Sequence, residues 1–118
     1  MKKLHGVLAV VLSLAALTAQ ARDWQDIRLA TEGAYSPFNE IGPDGKPRGF
    51  DVDIANALCE QIKARCTWAI QDWDAMIPAL LANKFDAIVA SMTITPERKQ
   101  KIGFTDKYYT SWVQLIAK

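Results

Sequence analysis

The amino-acid sequence predicts an α/β fold, a parallel sheet built in the order β-α-β-α-β-α. Three observations predict it. Strand-length apolar runs alternate with helical patterns, turn signals fall between them, and Phe85-Asp86-Ala87-Ile88-Val89-Ala90 is nearly all apolar, as a strand covered on both faces is. Such alternation implies right-handed crossovers between parallel strands.

The first residues read as an address rather than a fold. Met1-Lys2-Lys3 is a basic start, residues 6–17 form an apolar run too short to span a bilayer, and Ala19-Gln20-Ala21 has the small-x-small form of a cleavage site. A signal peptide of residues 1–21, cut after Ala21, is expected, with export to the periplasm. No Cys follows the run where a lipid anchor would sit, so a freely soluble mature chain is expected.

The first strand is expected over Asp26 to Thr31, followed by a polar loop with a turn signal at Pro43-Asp44-Gly45-Lys46. Gly49 and Phe50 lead into Asp51, which reads as the N-cap of a helix carrying Val52, Ala55, Leu58 and Ile62 at helical spacing. Cys66-Thr67-Trp68-Ala69-Ile70 is the second strand. A second helix is expected to begin near Asp74, because Pro78 is tolerated only in or close to a first turn, and to stop near Asn83. After the third strand, Thr95 is an N-cap, Pro96 takes the first helical position and Glu97 favours the positive helix end, giving a short helix to about Ile102.

Composition removes several classes of function. Loss of residues 1–21 leaves 97 of 118, one small domain at most. It takes Lys2 and Lys3 from the 14 basic residues, leaving 12 against 13 acidic and no basic stretch, so nucleic acid is not an expected partner. The single histidine, His5, leaves too, and with it any imidazole for a triad, a general base or a metal site. Neither a metal nor a cofactor is expected. Cys59 and Cys66 have neither CxxC nor zinc-ribbon spacing, and in an oxidising compartment they are expected to form a structural disulfide.

Ligands of open parallel sheets bind at the carboxyl ends of the strands. Those ends carry Glu32, Gly33 and Tyr35 after the first strand, Asp72 and Trp73 after the second, and Ser91, Met92 and Thr93 after the third, with Arg98 a few residues on. One crevice is expected to collect them. A guanidinium, two hydroxyls, two aromatic faces and an acid suit a small zwitterion with a cationic tail. Taken singly, each residue has a structural alternative: Tyr35 and Trp73 as core aromatics, Ser91 and Thr93 as turn residues, Arg98 as a solvated neighbour of Lys99 and Lys101, Asp72 and Asp74 as caps. Only their joint placement favours a site.

The segments "ATEGAYSPFN", "GFDVDIANALCEQIKARC" and "QDWDAMIPALLANKFDAIVASMTITPERKQKIGFTDKYY", with the cysteine spacing, resemble the extracytoplasmic solute-binding proteins of ABC importers for polar amino acids. Within that family the chain is similar to the branch for lysine, arginine, ornithine and histidine, with octopine and nopaline. The resemblance implies a periplasmic binding protein-like (type II) fold whose two lobes close on a ligand. Residues 22–111 would be its first lobe, incomplete, and 112–118 the start of a crossover to a second lobe that is missing.

Carried over by motif, Arg98 would clamp the ligand α-carboxylate, and Ser91 with Thr93 would hold its α-amino and carboxylate groups. Tyr35 and Trp73 would sandwich the aliphatic stem, and Glu32 would meet the distal cation. Ala90 stands where many relatives have Ser, and Glu32 where many have Asp; the pair leans toward opines. The implied partners are an amino acid or opine and a membrane permease, and the full-length protein is expected to be monomeric. The competing readings are a cyclohexadienyl dehydratase-like enzyme, disfavoured by the absence of histidine after residue 21, and a sensory module. Because lobe closure supplies desolvation, the chain as it stands is expected to bind weakly or not at all.

Overall fold

The computed structural model describes residues 24–112 and 114–117. The expected signal peptide, its cleavage after Ala21 and His5 lie outside them.

Strand β1 (Asp26–Thr31) forms where expected, and its last three residues, Leu29, Ala30 and Thr31, are buried. It is the centre of a parallel sheet in the order β5-β1-β6, with β5 spanning Arg65–Ile70 and β6 Ala87–Ile88. The register pairs Thr31 with Ile70 and Ala30 with Ile88, which sets the three carboxyl ends side by side. Gln71 N–H and Val89 N–H continue the pairing onto the carbonyls of Thr31 and Ala30, at 3.0 and 2.8 Å.

Helix α1 (Phe50–Gln61) covers one face of the sheet and α2 (Trp73–Leu81) the other. Leu29 packs with Ala55 and Cys59 of α1, whereas its neighbour Ala30 packs with Ala79 of α2 and with Phe85. Alternate strand residues point to opposite faces, so one short strand anchors both layers. The buried stripe of α1 is Val52, Ala55 and Cys59; Leu58 and Ile62, expected to belong to it, are about 60% exposed. At 100° per residue Leu58 lies beside that stripe rather than in it, and Ile62 is the C-cap, just past the helix end. Cys59 and Cys66 are disulfide-bonded, tying the end of α1 to β5.

Four further expectations are corrected. The polar loop after β1 is a small antiparallel meander of β2 (Ala34–Tyr35), β3 (Asn39–Ile41) and β4 (Pro47–Arg48), turning through the expected 43–46 signal with Gly45 N–H on Gly42 O at 2.9 Å. Pro78 sits in the second turn of α2, whose N-cap is Asp72, so the helix tolerates one missing N–H beyond its first turn. The third strand is regular only over β6, whose two residues are half-buried, because it is an edge strand among the described residues. Helix α3 (Pro96–Lys99) ends three residues before the expected Ile102, with Thr95 capping it by accepting the Arg98 N–H. After Ser111, Trp112 and residues 114–117 make no strand, and Trp112, Leu115 and Ile116 are exposed.

Candidate functional site

The three carboxyl ends meet as expected, but they divide the candidate residues between two neighbouring places. A cavity of about 620 Å³ is lined by Tyr35, Ala90, Ser91 and Thr93, together with aromatic residues of the segment after α3. Trp73, Arg98 and Glu32 are not part of its lining. Trp73 opens α2 and Arg98 lies in α3, and the guanidinium of Arg98 is 5.4 Å from the centre of the Trp73 ring. One Nη1–H of Arg98 is donated to the Thr93 carbonyl at 2.8 Å. That single bond and the ring plane orient the fork and leave its other donors for a carboxylate.

Glu32 follows β1 and is part-buried. Gly33, at φ 76, takes the left-handed turn that carries the chain away from it, and its N–H is donated to Asn39 Oδ1 at 2.9 Å. Tyr35 is 52% exposed and stacks on Phe38, with centroids 5.2 Å apart. Phe38 in turn meets Phe50 at 6.1 Å and Tyr109 at 5.0 Å, both edge-on. Tyr35 is thus neither a core aromatic nor a free one; one ring face is backed and the other remains open. Ala90 is buried and lines the cavity with a methyl group.

Asp51 corrects the expectation that it caps α1. The cap position is Gly49, at φ 117, where a Cβ would collide with the Phe38 and Pro37 carbonyls. Asp51 instead lies fully buried in the first turn. Its carboxylate accepts from Asn39 Nδ2 at 2.8 Å, from Ser91 Oγ at 2.9 and 3.0 Å, and from the Tyr108 hydroxyl at 2.8 Å. Burial, and then donation to this carboxylate, push the Tyr108 hydroxyl up to about 12. Sequence reasoning missed Asn39, Asp51 and Tyr108 as site residues. The available signal was an acid beside a glycine-phenylalanine pair at a helix start, which is ordinarily read as a cap.

This arrangement can hold and orient a small polar molecule. Among the described residues no group of three or more His, Cys, Asp or Glu side chains is placed to hold a metal, and no helix is long and apolar enough to cross a membrane.

Residues 27–118 match the family model of bacterial extracellular solute-binding proteins, family 3. The chain is 48% identical over 118 residues to an L-arginine-binding protein of Pseudomonas aeruginosa, covering all of this chain and 45% of that protein. It is 42% identical over 106 residues to an octopine-binding periplasmic protein of Rhizobium meliloti, covering 90% of this chain and 36% of the other. The chain thus spans less than half the length of these relatives. In three dimensions it resembles domain 1 of TmArgBP, solved in an arginine-bound form, with a TM-score of 0.68 and 32% identity, covering 72% of this chain and 68% of that one.

Proposed function

Because the chain belongs to the bacterial extracellular solute-binding proteins of family 3, we propose that it is the first lobe of a periplasmic receptor that binds a cationic amino acid, arginine foremost, and hands it to an ABC permease. Residues 1–21 are then the signal peptide, 22–111 the lobe, and 112–118 the beginning of the crossover, and the complete receptor is a monomer without enzymatic activity.

The observation that carries this reading is the Arg98 guanidinium held over Trp73 and tied to the Thr93 carbonyl, beside the cavity that Ser91 and Thr93 line. Arg98 takes the α-carboxylate, Ser91 and Thr93 take the polar groups beside it, the open face of Tyr35 and the Trp73 ring flank the stem, and Glu32 meets the far cation. A dehydratase needs an acid–base pair of matched protonation, and the sequence after residue 21 contains no histidine. Incubation with arogenate and prephenate is expected to give no product.

The arginine-bound form of a similar domain 1 supports binding by one lobe and, of the expectation that the chain binds weakly or not at all, favours weak binding. The test is calorimetry on monomeric protein with L-arginine, octopine and L-glutamine. Saturable arginine binding below about 1 mM, roughly −4 kcal/mol or better, is expected of the chain alone. No saturable heat with either cationic ligand would overturn the reading.

A further inference from the structure

We infer that Asp51 is the positioning residue that aims Ser91 at the ligand, an inference that rests on the amino-acid site proposed above. The two are 40 residues apart in the chain, and Ser91 Oγ lies 2.9 and 3.0 Å from the two carboxylate oxygens. A fully buried carboxylate is costly unless donors surround it. Here the donors come from three segments: Asn39 of β3, Ser91 after β6, and Tyr108 beyond α3.

Ser91 sits at φ 50, in the left-handed region that residues with a Cβ disfavour. Such a backbone persists only where its surroundings over-determine it. Two contacts do so: the Ser91 hydroxyl donates to Asp51, and the Ser91 N–H is donated at 3.2 Å to the Tyr108 hydroxyl, which itself donates to Asp51. The network therefore fixes both the place of Ser91 and the polarity of its hydroxyl. A serine hydroxyl has one proton. With that proton committed to Asp51, Ser91 Oγ meets a ligand as an acceptor only, so it takes an ammonium N–H and leaves the carboxylate to Arg98.

Asp51→Asn keeps the shape but replaces an acceptor oxygen by a donor. With the amide oxygen kept toward the Asn39 N–H, the amide nitrogen faces the Tyr108 hydroxyl and one of the two Ser91 contacts, so the Ser91 proton is no longer held by two acceptors and is released toward the ligand. Calorimetry with L-arginine and with 5-guanidinopentanoate, which lacks the α-ammonium, reads this out, and hydrogen exchange of the Ser91 amide reads the positioning without a ligand. The expected result in the Asn variant is a tenfold or greater loss of arginine affinity, a smaller loss for the deamino compound, and faster Ser91 exchange. A lowered melting temperature with an unchanged affinity ratio and unchanged Ser91 exchange would mean that Asp51 is a structural residue only. If the unsubstituted protein binds neither compound, the amino-acid site falls, and Ser91 exchange alone then decides whether Asp51 positions it. Should Asp51→Asn not fold, Tyr108→Phe removes one donor to Asp51 and the acceptor of the Ser91 N–H. It is expected to speed Ser91 exchange and weaken arginine binding several-fold, and no change in either would overturn the inference.

Discussion

The Arg98 guanidinium lies over the Trp73 indole, 5.4 Å from the ring centre, held there by two helices that the sheet brings together. A cation over a partly exposed ring contributes roughly 0.5–1 kcal/mol and, more usefully, fixes the plane of the fork. Arg98→Lys keeps the charge but loses the planar donors that match a carboxylate. Titration is expected to show a ten- to hundred-fold weaker arginine complex, about 1.5–3 kcal/mol, with the melting temperature little moved. Unchanged affinity would remove Arg98 from the site.

Glu32 is expected to select for a distal positive charge. A part-buried carboxylate disfavours a neutral tail and favours a cation, so Glu32→Gln should weaken arginine and octopine by roughly ten- to hundred-fold. Glutamine should be nearly unaffected. Equal losses for all three ligands would make Glu32 a loop acid of no special role.

The Cys59–Cys66 bond closes a short loop between α1 and β5. On the chain-entropy account so short a loop contributes about 2.5 kcal/mol. Thiol titration of the unreduced, denatured protein is expected to find no free thiol, and the double alanine variant should unfold at lower urea by about that free energy. Two titratable thiols would contradict the pairing.

Tyr108 provides a pH signature. Its hydroxyl is held protonated to about 12 in the fold, against about 10 in an unfolded chain. Between those values the unfolded state binds fewer protons, so the contribution is fully present below pH 10 and is lost as pH rises toward 12. Because Tyr108 is 43% exposed, solvent screening reduces the effect to about 1 kcal/mol. Urea midpoints at pH 9 and 11.5 should fall further in the unsubstituted protein than in Tyr108→Phe. Parallel falls would show that the Tyr108 hydroxyl, raised by burial and by its bond to Asp51, does not govern the pH dependence.

Legibility in the sequence followed the length of the pattern. Strand β1 was readable to the residue, because its apolar run is bounded by polar neighbours, and the Thr95-Pro96 start of α3 was readable from capping chemistry. The meander was not, since strands of two and three residues show no period. Asp51 was misread for a different reason. An acid at a helix start is satisfied locally in most proteins, and nothing near it in the chain announces that Ser91 and Tyr108 return to it from 40 and 57 residues away. Arg98 and Trp73 were each ambiguous alone, and the strand order brings them together.

The place of β1 also sets when the sheet can close. It is made first and lies in the middle, yet its neighbours begin at residues 65 and 87. During synthesis the emerging strand therefore has no partner until residues 65–70 have been made and lacks its second partner until residues 87–88 have been, and contacts of such long range form slowly. In the exported receptor proposed above, a central strand flanked on its second side only late keeps the polypeptide in a form that can still be threaded through a membrane.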